Sequence, residues 1–260
     1  MQYQLLNLLR QLRKQDSCFR KIRVGSNRDG GYVLPDDLEG IAGVISLGIG
    51  QNVAFDAFFA DRGVDVYQYD PTIDAPPRAH PRFHFQQVGL GPADTPPDQP
   101  VITHTVGPDG HWIQVPIHTR RLPTILADHG LEEQGDLILK MDIEAAEYAA
   151  FGVLTDLDLL NFRIITAELH HLTLLGDPAF FQAANHLVSI LTRHHACVHL
   201  HANNCCNLIV VEGIPIPEVI EITFLRRDRS SFTPSSEPIP SPLDFPNRLD
   251  RPDYVLTAFS

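Results

Sequence analysis

The segment from residue 44 to residue 70 has the pattern of a strand, a glycine turn, a helix and a second strand that ends at an acidic residue. Residues 44–47 form a short apolar run typical of a buried parallel strand. Gly48 and Gly50 follow it and allow the backbone to turn sharply close to a ligand. Asp70 comes about 20 residues later, where a carboxylate can accept hydrogen bonds from ribose hydroxyls. The segment therefore predicts a nucleoside-binding β-α-β unit.

The glycine pattern also indicates which kind of nucleoside fits. A dinucleotide fingerprint needs a third glycine where this chain has Val53, and the Lys-Ser/Thr pair of a phosphate-binding loop is missing. The remaining Gly48-x-Gly50-x-Asn52 pattern favours a ligand without a pyrophosphate, such as S-adenosylmethionine. The alternative is a structural strand-turn-helix whose glycines contact no ligand. The candidate cofactor-binding residues are Gly48, Gly50, Asn52, Asp70, Gly89 and Asp142, the last two because they follow later strands of the same predicted sheet.

Strand and helix patterns alternate along the rest of the chain. This alternation predicts an α/β fold with an open, mostly parallel sheet, helices on both faces and one antiparallel strand near the C-terminal end. An inserted hairpin is expected over 101–117, around the turn Pro108-Asp109-Gly110. The further predicted strands are 83–88, 136–141, 162–167, 196–201, 208–211 and 219–225, and the further predicted helices are 1–14, 122–129 and 178–192.

The predicted domain organisation is simple. Residues 1–227 are expected to form one domain, in which residues 1–40 contribute an amphipathic helix and an arm that turns at Asp29-Gly30-Gly31. The arm is either a connector or a lid in which Gly30-Gly31-Tyr32 lies near the cofactor. Residues 228–260 are rich in Pro and Ser and are expected to run extended along the surface.

Charge and composition exclude several partners. The formal net charge of −12 leaves no basic surplus to neutralise the phosphates of a nucleic acid. No segment approaches the roughly 20 apolar residues of a membrane span, and no signal peptide is visible. The four cysteines do not form a disulfide framework for a chain of this size, which fits a cytoplasmic protein. The sequence leaves open whether the chain forms a homodimer.

Six short motifs lie between residues 20 and 227, namely Asp29-Gly30-Gly31-Tyr32-Val33-Leu34, Leu47-Gly48-Ile49-Gly50-Gln51-Asn52, Tyr69-Asp70-Pro71, Leu139-Lys140-Met141-Asp142-Ile143-Glu144-Ala145-Ala146-Glu147, Glu168-Leu169-His170 and His201-Ala202-Asn203-Asn204. Together they resemble the motifs of the FkbM-type class I methyltransferases. The resemblance implies a Rossmann-like class I methyltransferase fold with a seven-stranded sheet, and S-adenosylmethionine as cofactor. Two residues depart from the family pattern, since Ala145 replaces a usual glycine and Asp70 a frequent glutamate. We expect Ala145 to need only an ordinary backbone conformation.

Polar residues stand at the ends of three of the predicted strands in pairs spaced by two. Such spacing puts both members of a pair on the same side of an extended segment, and the carboxyl ends of the strands line one crevice. We expect these side chains to converge where a methyl acceptor would sit. The pairs are Asp142 with Glu144, Glu168 with His170, and His201 with Asn203.

Two interpretations of this cluster remain open. In the first, His170 is the general base that takes the acceptor's proton, Glu168 orients its ring and Asp142 is the second candidate for the base. In the second, oxygen ligands from Asp142, Glu144, Glu168 and Asn203 bind Mg²⁺ or another divalent cation. Against the second, Glu144 and Glu147 are also typical of a helix start.

The function expected from these observations is S-adenosylmethionine-dependent O-methylation of a hydroxyl on a small metabolite or glycan. Two alternatives remain. One is an NAD(P)-dependent oxidoreductase, which Val53 and the lack of a Tyr-x-x-x-Lys pair disfavour. The other is a non-catalytic nucleoside-binding protein of the same fold, which the fold alone does not distinguish from an enzyme.

Overall fold

The structure is a computed structural model that describes residues 2–106, 111–257 and 259. Within these residues the helices are α1 (Gln2–Gln11), α2 (Ala54–Ala60), α3 (Leu122–Asp128), α4 (Glu147–Phe151) and α5 (Pro178–His194), with single 3-10 turns at Asp156–Leu159, Leu172–Gly176 and Arg227–Arg229. The strands of the same residues are β1 (Gln15–Asp16), β2 (Lys21–Gly25), β3 (Gly31–Pro35), β4 (Gly43–Leu47), β5 (Val66–Tyr69), β6 (Phe83–Gln86), β7 (Gly89–Leu90), β8 (Val101–Val106), β9 (Trp112–Ile117), β10 (Thr119–Arg120), β11 (Leu137–Met141), β12 (Phe162–Leu169), β13 (His195–Asn203), β14 (Ile209–Val211), β15 (Ile214–Ile216), β16 (Val219–Arg226) and β17 (Thr233–Pro234).

Seven strands form the central sheet in the order β13-β16-β12-β11-β4-β5-β6. The strands from β12 to β6 pair in parallel, whereas β16 is antiparallel to β12 and to β13. This confirms the predicted mostly parallel sheet and its antiparallel strand near the C-terminal end. The arrangement is consistent with a Rossmann-like fold.

One predicted strand lies outside the central sheet. The apolar run at 208–211 becomes β14, which pairs only with β15 in a separate hairpin. Glu212 and Gly213 both have positive φ angles, 52° and 82°. This is the conformation of a two-residue turn that sends the chain straight back. The prediction that this run completes the sheet was wrong, because the turn pairs it locally and leaves Ile209 and Val210 exposed.

The two faces of the sheet bury separate apolar clusters. Along β4 and β11 alternate side chains point to opposite faces, as a strand requires. One cluster joins the sheet to α1, α3, α4 and α5. The other joins it to α2 and to the β2–β3 hairpin. Helices therefore cover both faces, as expected from the sequence. None of the described helices combines the length and apolar character that a bilayer crossing demands.

Both predicted hairpins have the expected strands. The arm forms the antiparallel pair β2–β3, with Gly25 opposite Gly31. The insertion forms the pair β8–β9, while its predicted turn at 108–110 lies outside the described residues.

The C-terminal segment, residues 228–260, is attached to the rest of the protein more firmly than the sequence indicated. Its first strand, β17, pairs with β1, and Ile239, Leu256 and Phe259 are buried in the same cluster as α1 and α5. The prediction of a segment that only runs along the surface was wrong in this respect. These scattered apolar residues attach the segment to a core that the rest of the chain provides.

The strand order changes direction between β4 and β11. From β4 the chain proceeds to β5 and β6 on one side, and β11 and β12 then lie on the other. In such a sheet a crevice opens beyond the carboxyl ends of the strands at this point. The loops that follow β4 and β11 touch here. A Cβ on Gly48 would overlap the carbonyl oxygen of Asp142, and Gly48 also has a positive φ of 71°, so this position requires glycine.

Candidate active site

The glycine turn after β4 is held in place by Asp70. One oxygen of this buried carboxylate accepts hydrogen bonds from the amides of Ile49 and Gly50 at 3.0 and 2.9 Å. The other accepts from the amide and hydroxyl of Thr72 at 2.8 and 2.6 Å. A carboxylate has about four acceptor positions. Asp70 therefore organises the turn, and ribose hydroxyls would have to compete with the donors it already has.

Lys140 links the glycine turn to the strand beside it. Its buried ammonium donates to the carbonyl of Gly48 and lies 3.7 Å from Oδ2 of Asp142. Tyr32 from β3 donates its hydroxyl to the same Asp142 oxygen at 3.4 Å. Burial, together with the Asp142 carboxylate, raises the pKa of Tyr32 well above its ordinary value, so the phenol keeps its proton. Asp142 is thus fixed at the crevice by groups from two elements.

His170 lies immediately after β12 and is held by Glu147 from α4. Oε1 of Glu147 accepts the backbone amide of His170 at 2.8 Å and lies 3.1 Å from Nδ1 of its ring. The hydroxyl of Tyr148 donates to the His170 carbonyl at 2.5 Å. Glu147, and not Glu168, therefore orients the imidazole. The sequence interpretation assigned Glu147 only to a helix start.

The other ring nitrogen of His170 faces three carboxylates. Nε2 lies 3.8 Å from Oδ1 of Asp142, 3.7 Å from Oε2 of Glu144 and 3.8 Å from Oε2 of Glu168. These separations exceed hydrogen-bond length. Burial by itself would lower the pKa of His170. The bond to Glu147 and the carboxylates of Glu147, Asp142 and Glu144 outweigh that effect, so the pKa lies above its ordinary value.

Asp142, Glu168 and His170 form what we call the acid–histidine cluster. One ligand atom from each lies within 4.8 Å of the others, close enough to share a metal ion. His170 has the usual environment of a metal ligand, since ligating histidines generally donate their second ring N–H to a carboxylate. The structure thus brings together the predicted catalytic residues His170, Asp142 and Glu168.

Glu168 supplies an independent sign that the cluster fits a cation. The side chain is buried, and its Oε1 has no hydrogen-bond partner. Burial, followed by the negative charges of Asp142, Glu221 and Asp29, raises the pKa of Glu168 well above its ordinary value. A divalent cation would compensate both the missing partner and the like charges around it.

The other two predicted metal ligands are placed less favourably. Glu144 approaches the cluster, but 83% of its side chain is exposed. Asn203 turns its amide nitrogen toward Oε2 of Glu168 at 3.4 Å, while its oxygen accepts the amide of Cys205 at 2.9 Å. The amide oxygen of Asn203 is therefore occupied away from the cluster.

The loop between Asp142 and α4 has a backbone conformation that the sequence did not indicate. Glu144 and Ala145 have φ angles of 54° and 75°. The expectation that Ala145 needs only an ordinary conformation was wrong, because a left-handed residue with a Cβ carries a steric cost. A glycine at this position would avoid that cost.

The remaining predicted cofactor residues surround the turn. Asn52 donates to the carbonyl of Asp29 at 2.8 Å and accepts from the amide of Ala54 at 3.1 Å, so its side chain ties the arm to the start of α2. Gly89 pairs with Thr119 in a short parallel ladder, with its Cα side against Pro71. Gly50 has space around it, with nothing near the position that a Cβ would take.

Sequence reasoning missed Glu147 and Lys140 as parts of the site, and it placed Tyr32 near the cofactor only in the lid interpretation of the arm, without its contact to Asp142. All three lie within motifs that the sequence analysis had identified. Their roles follow from three contacts: Glu147 with His170 and Tyr32 with Asp142 across the fold, and Lys140 with Asp142 two residues further along the chain. In comparisons with known proteins, no family model matches the chain and no curated protein matches it significantly.

Proposed function

We propose that this protein is an S-adenosylmethionine-dependent methyltransferase of the FkbM type that methylates a hydroxyl of a small metabolite or a sugar. The observation that carries the proposal is the position of the acid–histidine cluster. Its three side chains meet at the carboxyl ends of β11 and β12, directly beside the glycine turn after β4. A nucleoside cofactor and a polar acceptor would therefore occupy adjoining parts of one crevice.

The cofactor side of the crevice suits a nucleoside without a pyrophosphate. Gly48 and Gly50 allow close approach of the ligand to the turn, and Val53 stands where a dinucleotide site needs glycine. Since the four acceptor positions of Asp70 are filled, bound ribose hydroxyls would replace the two bonds from Thr72. The bonds to Ile49 and Gly50 would remain and keep the turn in shape.

The acceptor side must align a hydroxyl and remove its proton. S-adenosylmethionine supplies a methyl group on a sulfonium, and displacement requires the acceptor oxygen in line with it. Alignment contributes up to about 7–11 kcal/mol in the best intramolecular cases, and a positioned base contributes roughly 10²–10⁴-fold in rate. Held through Nδ1 by Glu147, His170 presents Nε2 to the crevice as the acceptor of that proton. Asp142 is the second candidate, since Lys140 and Tyr32 both hold its Oδ2 and leave Oδ1 toward His170.

The cluster also fits a divalent cation, with Asp142, Glu168 and His170 as its ligands. Such an ion would polarise the acceptor hydroxyl and lower its pKa. A set of two carboxylates and one imidazole favours ions such as Mn²⁺ or Zn²⁺, and also accepts Mg²⁺, whereas an all-oxygen set would favour Ca²⁺. When the imidazole is a ligand, Nε2 no longer accepts a proton. The two roles of His170 are therefore exclusive and can be distinguished.

The proposal is tested by binding first and activity second. S-adenosylhomocysteine and NAD⁺ are compared by calorimetry and thermal unfolding, where a ligand at 100-fold its Kd stabilises by about 2.7 kcal/mol. Gly48→Val, which blocks the turn, should abolish S-adenosylhomocysteine binding, and Gly63→Val, at an open surface turn, is the matched control. Binding of NAD⁺ in place of S-adenosylhomocysteine would contradict the proposal.

Activity is then measured with methyl-labelled cofactor across hydroxylated metabolites and sugars, before and after EDTA. Loss of turnover with EDTA and its return with Mn²⁺ or Mg²⁺ support the metal role of the cluster. Full turnover in chelated protein, together with at least ~10²-fold slower methylation by His170→Ala, supports the role of His170 as base. Cofactor binding without any methyl transfer would support the non-catalytic alternative.

A further inference from the structure

Two adjacent cysteines lie at the end of β13, where the proposed function gives them no role. Cys206 is exposed and Cys205 half-buried, and both are free thiols. Their sulfur atoms lie 3.1 Å apart. Of the other two cysteines, Cys18 is exposed on a different part of the chain and Cys197 is buried. The pair therefore differs from both, since each of its thiols has a second thiol within reach.

The backbone around the pair is held on both sides. The amide of Cys205 donates to Oδ1 of Asn203 at 2.9 Å. The C-terminal segment supplies two donors, since Arg251 donates to the carbonyl of Cys205 at 3.0 Å and Tyr254 donates its hydroxyl to the carbonyl of Cys206 at 2.6 Å. The backbone of the two cysteines thus connects the acid–histidine cluster, through Asn203 and Glu168, with the C-terminal segment.

We propose that Cys205 and Cys206 form a redox modification site that a peroxide oxidises to a vicinal disulfide. The exposed Cys206 reacts first: its sulfur attacks one peroxide oxygen, the O–O bond breaks, and a sulfenic acid and water form. The sulfur of Cys205 then displaces the sulfenic oxygen as a second water, and the S–S bond forms. Two thiols lose two electrons and two protons, and hydrogen peroxide is reduced to two waters.

The product should be reduced again by mild thiols. Cα atoms of neighbouring residues are about 3.8 Å apart across a trans peptide, which is shorter than the roughly 4.4–6.8 Å between the Cα atoms of ordinary disulfides. A disulfide between adjacent residues is therefore strained, and strained or exposed disulfides are the labile, regulatory ones. The same mismatch means that the peptide between the cysteines must move when the bond forms.

This movement has two consequences that the hydrogen bonds define. The bonds from Arg251 and Tyr254 are made to the carbonyls of the moving residues, so the C-terminal segment loses two of its contacts. The bond to Asn203 is made by the amide of Cys205, so the amide group that touches Glu168 is released as well. Oxidation thus loosens the C-terminal segment and alters one side of the acid–histidine cluster.

The first experiment measures the bond itself, in the full chain with Cys18→Ser to remove the other exposed thiol. After brief treatment with hydrogen peroxide, we expect the mass to fall by two hydrogens, both thiols to disappear together, and dithiothreitol to restore them. In Cys205→Ser we expect a sulfenic acid on Cys206 that dimedone traps. Addition of oxygen atoms without loss of hydrogens, a dimer linked between chains, or unchanged thiols would overturn the proposal.

The second experiment measures the link to the C-terminal segment by limited proteolysis with trypsin. The backbone amide and carbonyl of Arg248 are both bonded to Asn204, beside the cysteines. We expect cleavage after Arg248 to become about tenfold faster on oxidation, as the loss of one or two hydrogen bonds implies. Peroxide-treated protein with both cysteines replaced by serine is the control. An unchanged rate would overturn the link, and neither measurement depends on methyl transfer.

Discussion

Glu147 holds His170 by two contacts from one carboxylate oxygen, to the backbone amide at 2.8 Å and to Nδ1 of the ring at 3.1 Å. The bond to the amide fixes the position of the His170 backbone. The bond to Nδ1 fixes the orientation of the ring, so that Nε2 faces the crevice. Glu147 is fully buried and its second oxygen has no partner, so this carboxylate serves His170 alone among the described side chains. Removal of its charge should therefore affect mainly the imidazole.

We predict that Glu147→Gln lowers the pKa of His170 and weakens metal binding. The glutamine keeps the shape of the side chain but loses the charge that stabilises the imidazolium. Substitution of such a supporting carboxylate typically costs roughly 10–100-fold in metal affinity. The pKa is followed by NMR titration and the affinity by calorimetry with Mn²⁺, with the exposed Glu132→Gln as control. Unchanged values in Glu147→Gln would show that the pair is only structural.

Metal binding to the acid–histidine cluster should release protons. The pKa values of His170 and Glu168 are both raised, so each side chain keeps its proton to a higher pH than usual and a cation competes with that proton. Affinity for Mn²⁺ should therefore increase as the pH rises above the ordinary histidine value of 6.5, by up to about tenfold per pH unit for each proton released. Calorimetry in two buffers of different ionisation enthalpy counts these protons. A pH-independent affinity would contradict the assignment of these two ligands.

Ala145→Gly should stabilise the protein. The left-handed conformation costs a non-glycine residue about 1–2 kcal/mol, part of which the greater freedom of glycine in the unfolded chain offsets. We expect the free energy of unfolding to rise by about 0.5–1 kcal/mol. Ala149→Gly, at an exposed position inside α4, is the matched control and should lower it by about 0.5–1 kcal/mol. Denaturant titration of both variants gives the comparison, and a loss of stability in Ala145→Gly would contradict the steric argument.

Asp70→Ala should reduce stability as well as cofactor affinity. The substitution leaves the amides of Ile49 and Gly50 without the acceptor that closes the turn, and an unpaired buried donor costs about 1–3 kcal/mol. Thr72→Val removes the competing hydroxyl and should leave the turn intact. Thermal unfolding and S-adenosylhomocysteine calorimetry are measured for both. Normal stability together with lost binding in Asp70→Ala would mean that ribose recognition, and not the turn, is its main role.

Stability should fall as the pH rises above neutral because of His201. This buried imidazole lies 3.1 Å from Glu221 and 3.0 Å from Asp253. Burial opposes its charge, but these carboxylates and Asp244 raise its pKa to about 10. Its contribution is fully present below the unfolded value of 6.5 and is lost as the pH approaches 10. The unfolding free energy of wild type should therefore decrease over this interval more than that of His201→Asn. Parallel pH profiles would contradict the charged state of His201.

The sequence was sufficient for the main layers of the fold because buried parallel strands are short apolar runs, as in β4, β5, β11 and β12. It also predicted the acid–histidine cluster, since the carboxyl ends of parallel strands lie at the same edge of a sheet and bring the residues at those ends together. It did not reveal that Glu147 orients His170, because a glutamate at a helix start has the same pattern whether or not it reaches a neighbouring strand. Likewise, Leu256 and Phe259 lie in a short apolar stretch that follows a long segment rich in Pro and Ser, and this pattern does not show which side chains are buried. Their burial depends on a surface that other elements provide.

The position of β16 determines when the sheet can be completed. In the sheet, β16 lies between β12 and β13. It covers the edge of β12 that faces away from β11, and it joins β13 to the sheet. β16 comes later in the chain than both of these strands. A growing chain that has not yet reached Val219–Arg226 therefore has an open edge on β12 and leaves β13 without a partner in the sheet. Pairing between strands so distant in sequence is slow, and open edges favour aggregation. The half of the crevice that carries Glu168 and His170 thus cannot become fully ordered before β16 has been synthesised and has paired with β12.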